Sequence, residues 1–274
     1  MKYIAPKTVL CIHDLSGAGR CSMGAAAPVL AAMGHQPIML PTALFSTHTG
    51  GLGQPAAQMC GGYGPAALQH YRELGLQIDC IYSGYLAGTG DQELVRRAFE
   101  FWPEALKIVD PVLGDGGRFY TGMEDKLPGV RELCRGADVI LPNLTEACLL
   151  LGLPQPQQEL DQAGAGALAE ELAGLCGQTV VTGLPQGRHL ACAGGGKERF
   201  VVQRLRIDRS YPGTGDLFAS VLVGALLRGN AVSAAADAAA GFVAEAIENT
   251  DPAANPALGV WFEPLLGRLA GRGV

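Results

Sequence analysis

The sequence predicts an α/β fold, a three-layer sandwich in which helices cover both faces of a mostly parallel central sheet. Short apolar runs alternate with longer segments of helical periodicity along the 274 residues, which is typical of parallel strands joined by crossover helices. Hydrophobic residues make up 48% of the chain and charged residues 17%, which predicts a sizeable core rather than disorder. Because no linker, low-complexity tract or internal repeat interrupts the pattern, we expect a single domain over residues 1–274.

Six short apolar runs predict the parallel strands. In chain order they are Thr8–Ile12, Gln36–Leu40, Asp79–Ser83, Leu106–Asp110, Asp138–Leu141 and Thr179–Thr182. Two further runs flank three consecutive glycines, and this arrangement predicts a β-hairpin formed by His189–Ala193 and Glu198–Val202.

Segments with apolar residues at helical spacing follow most of these runs and predict the covering helices. They are Ser22–Met33, Pro65–Leu74, Gln92–Phe101, Leu144–Leu151, Leu168–Leu175, Asp216–Arg228 and Ser233–Glu248. A terminal amphipathic helix is predicted from Trp261 onward.

Charge and cysteine content restrict the class of protein. The net charge of −6 disfavours a nucleic-acid partner, which clustered Lys and Arg would bind, but it is compatible with a nucleotide held by local donors. The chain has no run of 18 or more apolar residues, so we expect no membrane span, and we interpret the run from Met1 to Ile12 as a first strand rather than a signal peptide. The eight cysteines form no Cys-x-x-Cys pair, which favours reduced, mostly buried thiols in a cytoplasmic protein.

Polar residues follow the predicted strands, and ligands of open α/β sheets bind beyond the carboxyl ends of the strands. Hydroxylated, acidic and glycine-rich segments stand at six of these ends: His13–Gly19, Thr42–Gly53, Ser83–Tyr85, Asp110–Asp115, Pro142–Glu146 and Thr182–Gly183. The sequence therefore predicts a ligand site along one edge of the sheet.

The tetrapeptide Gly-Thr-Gly-Asp occurs twice, at 88–91 and at 213–216, and the helix that follows distinguishes the two copies. After Asp91 the helical segment has charges on one face, as a surface helix has, and Asp91 is most simply an N-cap. After Asp216 the segment is apolar nearly all round, which predicts a buried helix.

A buried helix that opens with Gly-Thr-Gly directs free amides and the positive end of its dipole at the cleft. Such donors stabilise the charge on a transferring γ-phosphoryl group, and Asp216 could accept the proton of an attacking hydroxyl. A structural cap is the alternative role for Asp216. The chain has no GxxxxGK[ST] motif, which excludes a P-loop kinase, and Ser22 stands where a dinucleotide fingerprint needs its third glycine.

Five elements in order are similar to the ribokinase superfamily and, within it, to the pyridoxal (pyridoxine, pyridoxamine) kinases. They are Leu44–Gly50, Ser83–Tyr85, Asp110–Asp115, Pro142–Glu146 and Gly213–Asp216, and the resemblance extends from Val9 to about Gly229. The resemblance implies a ribokinase-like sandwich that uses ATP and Mg²⁺, with a K⁺ ion as a further candidate, to phosphorylate the 5′-hydroxymethyl group of a B6 vitamer. It also implies a homodimer.

The resemblance implies a role for each matching residue. Asp216 would be the catalytic base, with Gly213, Thr214 and Gly215 as the anion hole, and Gly114–Thr121 would form a flap over ATP. The metal ligands would be Asp115 and Glu146; the ATP side would comprise Asp110, Asn143, Thr182 and Gly213; and the substrate side would comprise Asp14, Ser16, His48, Thr49 and Tyr85.

Several of these residues also have structural interpretations. Glu146 stands three residues after Asn143, which is capping-box spacing, and Asp115 lies in a glycine-rich turn. Thr182 could simply end a strand, Tyr85 could pack in the core, and a partly buried, hydrogen-bonded role suits His48 better than a catalytic one.

Departures from the pyridoxal kinase pattern leave alternatives open. The loop from Asp14 to Gly19 is closer to the hydroxymethylpyrimidine kinases, and Leu141 replaces a threonine that would serve a monovalent-cation site. Asp216, however, stands where hydroxymethylpyrimidine kinases typically have cysteine. The alternatives are a hydroxymethylpyrimidine or sugar kinase on the same fold, and a vitamer-binding protein without catalysis.

Overall fold

The computed structural model describes residues 5–88 and 90–271, so residues 1–4, Thr89 and residues 272–274 lie outside the described residues, and with them parts of the predicted first strand, of the first Gly-Thr-Gly-Asp copy, of the terminal helix and of the domain 1–274. Eleven strands are found there: β1 Thr8–Ala18, β2 Gln36–Thr47, β3 Ala57–Met59, β4 Cys80–Ser83, β5 Leu106–Val109, β6 Gly114–Asp115, β7 Arg118–Phe119, β8 Val139–Ile140, β9 Gln178–Gln186, β10 His189–Gly196 and β11 Phe200–Leu205. The α-helices are α1 Ser22–Ala32, α2 Tyr63–Glu73, α3 Asp91–Phe101, α4 Leu127–Arg135, α5 Leu144–Leu151, α6 Gln162–Ala173, α7 Thr214–Leu227, α8 Val232–Asn249 and α9 Leu266–Leu269.

Nine of the strands form one sheet in the order β11-β10-β9-β8-β5-β4-β1-β2-β3. The six strands from β9 to β2 in that order pair in parallel, whereas β3, β10 and β11 pair antiparallel at the two edges. The predicted α/β class and mostly parallel sheet are confirmed, and so is the hairpin of β10 and β11.

Both faces of the sheet are buried, as parallel sheets require. On β1, Val9 and Cys11 belong to the core beneath α1, α7 and α8, and Leu10 and Ile12 belong to the core beneath the helices α2 to α6. All eight cysteines are free and seven are buried. Across residues 5–88 and 90–271, no helix has the length and apolar character needed to span a membrane.

Strand β1 continues six residues beyond the predicted end at Ile12, with a shift in its pairing to β2 between His13 and Leu15. The continuation was missed because its side chains are polar, yet His13, Asp14 and Ser16 are almost fully buried. It carries polar side chains from the sheet into the cleft.

Two helix predictions need correction. The amphipathic helix predicted from Trp261 is wrong: the segment forms a 3₁₀ turn at Glu263–Leu265 and then the single turn α9, because Pro264 and Gly267 disfavour a longer helix. Helix α6 begins six residues before the predicted Leu168, where the Asp161 carboxylate accepts the Gly164 amide as an N-cap. Helix α4, strand β3 and the β6–β7 hairpin were not predicted.

Candidate active site

A cavity opens where the carboxyl ends of β5, β8 and β9 meet the amino end of α7. Seven of the predicted site residues line it: Asp110, Asn143, Glu146, Thr182, Gly213, Gly215 and Asp216. These residues come from four segments of the chain and meet at the edge where the parallel strands end. Asn143 and Thr182, for example, form a parallel bridge just beyond β8 and β9. The predicted grouping of these residues at one edge of the sheet therefore exists.

Helix α7 begins at this cavity and is buried from Leu217 to Ala225. Its first intrahelical hydrogen bond joins the Leu217 amide to the Gly213 carbonyl (3.0 Å), so the three amides before it are directed out of the helix end. Gly213 has φ +80°, and a Cβ there would overlap the carbonyl oxygen of Arg20. Only glycine therefore fits this N-cap, and its backbone holds the helix end against the segment after β1.

Asp216 lies on the first turn of α7 with its side chain 15% exposed. Its Oδ1 is 3.0 Å from Nε2 of His13, and its carbonyl accepts the Ser220 hydroxyl. Among the described residues no other side chain is bonded to the carboxylate, so Oδ2 is available to a ligand in the cavity.

The hydrogen-bond partner of Asp216 is His13, for which the sequence analysis predicted no role. His13 is 1% exposed, and its Nδ1 lies 2.9 Å from Oδ1 of Asp14. Burial alone would lower the pKa of His13, but the hydrogen bonds and charges of Asp14 and Asp216 outweigh it and raise that pKa to about 10. The same contacts lower the pKa of Asp14 against the opposing effect of burial.

Asp14 was predicted to bind substrate, and the structure gives its carboxylate internal partners. Oδ1 faces His13, Oδ2 accepts the Ser16 hydroxyl (3.0 Å), and the residue is 4% exposed. Asp14 and Ser16 thus form a buried polar layer behind the cleft rather than an open pair of ligands.

A different acidic pair lies on the wall formed by β5 and α5. Burial, together with the charges of Glu146 and Asp216, raises the pKa of Asp110 well above its usual range. Burial raises the pKa of Glu146 to about 7 against the lowering effect of three backbone amides. Among the described residues, no lysine or arginine lines this cavity.

Glu146 also has the structural role that its spacing allowed. Its Oε2 accepts the Asn143 amide (2.9 Å) and the Asn143 side chain accepts the Glu146 amide, which completes a capping box at the start of α5. Oε1 accepts the Leu113 amide (2.9 Å) and so fixes the turn after β5.

The other predicted metal ligand, Asp115, does not line the cavity. It is exposed on the β6–β7 hairpin, where its Oδ1 accepts the Gly116 amide (2.7 Å), as a turn residue does. This hairpin occupies the predicted flap, and Tyr120 after it reaches the cavity. Among the described residues no three His, Cys, Asp or Glu side chains gather into a metal site, so an ion at Asp110 and Glu146 would need phosphate or water oxygens as further ligands.

The remaining substrate-side residues follow β2 and β4, the neighbours of β1, and lie outside this cavity. His48 is buried: its Nδ1 accepts the Gly50 amide (3.1 Å) and its Nε2 donates to the Ala257 carbonyl (2.5 Å), which ties the loop after β2 to the C-terminal segment. Thr49 beside it is exposed. The Tyr85 ring is half-buried, 6.4 Å from the ring of Phe45, and its amide is 3.1 Å from Nδ1 of His13.

Two non-glycine residues with positive φ flank the site. Ser22, which opens α1, has φ +52°, and Val112, at the cavity wall after β5, has φ +39°. In the described residues these are the two non-glycine cases, and such strain gathers at functional sites.

Comparison with known proteins places the chain among kinases. The family model for phosphomethylpyrimidine kinase matches residues 72–260. The pyridoxine/pyridoxal/pyridoxamine kinase of Bordetella avium is 31% identical over 251 residues, which cover 85% of this chain and 81% of that relative.

Two solved structures share the fold closely. The pyridoxal kinase of Lactobacillus plantarum has a TM-score of 0.89 and 31% identity, with 96% of each chain covered. A Bacteroides thetaiotaomicron protein described as a phosphomethylpyrimidine kinase, in a crystal form with pyridoxal, has a TM-score of 0.90 and 30% identity, again with 96% of each chain covered.

Proposed function

Since the chain belongs to the pyridoxal kinases of the ribokinase superfamily, we propose that it transfers the γ-phosphoryl group of ATP to the 5′-hydroxymethyl group of pyridoxal, pyridoxine or pyridoxamine. The single observation that carries the proposal is the position of Asp216. Its carboxylate lies at the open end of a buried helix, in the cavity that also holds Asp110 and Glu146. A base, an anion-binding helix end and a pair of oxygen ligands are the components that phosphoryl transfer needs.

The residues of the chain would divide the reaction between them. The vitamer hydroxyl oxygen forms a bond to the γ-phosphorus while the bond from that phosphorus to the β–γ bridging oxygen breaks, and ADP leaves with the electron pair. The hydroxyl proton passes to Oδ2 of Asp216. The free amides of the α7 amino end would stabilise the negative charge on the equatorial oxygens of the transferring group.

The acidic pair fits the Mg²⁺ that such kinases use. Asp110 and Glu146 face the cavity without a cationic side chain among the lining residues, and Mg²⁺ prefers carboxylate, phosphate and water oxygens. When bound, the ion would neutralise charge on the phosphates. We propose that Asp110 and Glu146 hold it, in part through water, and Asp115 remains a predicted ligand that the hairpin carries. A K⁺ site also remains a prediction. Leu141 at the cavity wall offers no side-chain oxygen, so such an ion would need its ligands from other groups.

The vitamer would bind on the other side of His13, beside Tyr85 and Thr49. Tyr85 presents a half-buried ring for contact with a pyridine, and Thr49 an exposed hydroxyl. His48 would shape this region through its hydrogen bonds to Gly50 and Ala257 rather than by chemistry.

We also propose a homodimer that forms through the β2–β3 edge. Large apolar side chains are exposed on these strands, Met39 (49%), Leu44 (41%) and Met59 (45%), and Tyr63 (52%) is exposed at the start of the neighbouring helix α2. Edge strands with exposed apolar residues pair readily with a second chain. Light scattering tests this: we expect a dimer for the wild type and a shift toward monomer for Met59→Lys. A monomeric wild type would refute the dimer.

The free, mostly buried cysteines support the predicted cytoplasmic location.

A hydroxymethylpyrimidine (phosphate) kinase is the second candidate, because the family model that matches residues 72–260 is described as phosphomethylpyrimidine kinase. The two functions share the nucleotide side and differ in the acceptor. Against this candidate, the base position holds Asp216, whereas the hydroxymethylpyrimidine kinases typically have a cysteine there, which needs a depressed thiol pKa to act as a base.

A coupled assay of ADP release from MgATP tests the proposal. The purified protein is given pyridoxal, pyridoxine, pyridoxamine or hydroxymethylpyrimidine, each over a concentration range, and kcat/KM is compared. We expect at least one vitamer to exceed hydroxymethylpyrimidine by about tenfold or more, which corresponds to about 1.4 kcal/mol of differential transition-state binding. A higher kcat/KM for hydroxymethylpyrimidine would favour the second candidate. If none of the four compounds stimulated the release of ADP, both candidates would be refuted.

A further inference from the structure

His13 bridges two carboxylates that come from distant parts of the chain. Its ring lies 2.9 Å from Asp14 and 3.0 Å from Asp216, 203 residues away, and its side chain is 2% exposed. Of these three residues, only Asp216 lines the cavity.

We propose that His13 is a positioning residue for phosphoryl transfer: its Nε2–H holds Oδ1 of Asp216 so that Oδ2 is free to take the proton of the acceptor hydroxyl. This inference rests on the proposed function. A carboxylate that can rotate about its Cβ–Cγ bond would present either oxygen, or neither, to the substrate, and a fixed donor on one oxygen removes that freedom.

The hydrogen bond to Asp216 survives either protonation state of the ring. In the imidazolium form both nitrogens donate, one to each carboxylate. In the neutral form Nδ1 accepts a backbone amide, since the Tyr85 amide is 3.1 Å away, and Nε2–H still donates to Asp216. The side chains that face the ring from its neighbouring segments are Asp14, Asp216, Tyr82 and, at longer range, Asp110. None of these competes as a donor for Oδ1.

The surrounding backbone is shaped around this ring. A Cβ at Gly84 would overlap the imidazole of His13, so the strand end after β4 approaches the ring as only glycine can. Asp14 then acts through His13, which accounts for a carboxylate that is fully hydrogen-bonded inside the protein and absent from the cavity wall.

Two substitutions at one position separate positioning from packing. The amide nitrogen of Gln reaches the place of Nε2, and that of Asn the place of Nδ1. His13→Gln therefore keeps a donor for Asp216, whereas His13→Asn keeps only the donor for Asp14. We expect kcat to fall about 10–100-fold in His13→Asn and about 3–10-fold in His13→Gln, with KM for ATP nearly unchanged in both. The acid side of the kcat–pH profile should also move, further in the Asn variant, because that variant leaves Oδ1 of Asp216 without a donor.

His35 supplies the matched control, because it is also buried and its Nε2 bonds to the Gly224 carbonyl on the same helix α7. His35→Asn and His35→Gln should leave kcat and the pH profile unchanged at temperatures where they are folded. Equal losses in the two His13 variants with an unmoved pH profile, or full activity of His13→Asn, would overturn the proposal.

Imidazole ¹⁵N NMR of the wild-type protein provides a measurement that needs no folded variant. We expect Nε2 of His13 to be protonated from pH 6 to 9, and a bare Nε2 in that range would refute the positioning role. Absence of ADP release by the wild type would instead refute the proposed function, and the NMR result would still decide whether the bridge exists.

Discussion

Two acidic groups meet at the cleft, and their negative charge is compensated differently. Asp14 and Asp216 share the imidazole of His13, which lies between them and carries a proton that their charges stabilise. Asp110 and Glu146 accept backbone amides, no lysine or arginine of residues 5–88 and 90–271 lines their cavity, and burial raises the pKa of both. In the half of the cleft that would hold the acceptor, the charges of Asp14 and Asp216 are therefore paired from within the fold. In the half that would hold the nucleotide, burial disfavours the ionised forms of Asp110 and Glu146, and a cation arriving with ATP would favour them. Removing a charge from each half should have opposite consequences.

The largest effect is expected at the base. Asp216→Asn should lower kcat about 10²–10⁴-fold with every vitamer, because the amide cannot accept the hydroxyl proton. Binding of MgATP, measured by calorimetry, should change little, since the substitution leaves Asp110, Glu146 and the helix amides in place.

Asp91→Asn is the matched control, because it alters the last residue of the other Gly-Thr-Gly-Asp copy. Asp91 is the first residue of α3 rather than its predicted N-cap, and its carboxylate accepts the Gly88 amide (2.5 Å). Its variant should retain activity. An Asp216→Asn protein as active as Asp91→Asn would remove Asp216 from the chemistry.

The next effect concerns stability on the paired side. Asp14→Asn leaves the His13–Asp216 contact but removes one of the two charges that the imidazolium faces, and breaking a buried pair costs about 3–5 kcal/mol. We expect a lower free energy of unfolding in urea at pH 7. Unchanged stability would mean that the charge of Asp14 contributes nothing to the acceptor half.

The pairing also predicts how stability depends on pH. Folding raises the pKa of His13 from its ordinary value of 6.5 to about 10, so the stabilisation is complete below about pH 6.5 and is lost as the pH rises through about 10. The loss should be on the order of 2–4 kcal/mol in the free energy of unfolding between pH 7 and 10. His13→Gln should flatten this part of the curve, and an equally steep curve in the variant would assign it to other groups.

The smallest effect has the opposite sign. Asp110→Asn removes a buried carboxyl whose ionisation is disfavoured by burial, so without Mg²⁺ the variant should be more stable than the wild type by about 0.5–2 kcal/mol. It should also need about 10–100-fold more Mg²⁺ for half-maximal activity. A destabilised Asp110→Asn protein would show that the two acidic groups do not differ as described.

The sequence predicted the parts of the site that depend on local pattern. The buried helix after Asp216, the strand ends that carry Asp110 and Thr182, and the capping-box spacing of Asn143 and Glu146 can all be read over short stretches, and the structure places them together. These positions follow from periodicity and from the shared edge of parallel strands.

What the sequence did not predict depends on contacts between distant segments. The role of His13 depends on a carboxylate 203 residues away and on a strand that continues through polar residues, which no hydrophobic pattern indicates. The position of Asp115 outside the cavity is likewise set by the β6–β7 hairpin, in which each strand has only two residues. Local propensity cannot reveal either.

The separation between His13 and Asp216 also matters while the chain is being made. At about 5–20 residues per second, a ribosome needs roughly 10–40 s to go from one residue to the other. During that interval His13 on β1 has no contact with Asp216, which has not yet been synthesised. Helix α7, which covers the same face of the sheet, is also missing. The nascent N-terminal three quarters must therefore remain in a partly open form, and the proposed phosphoryl-transfer site is assembled only when the last quarter of the polypeptide emerges.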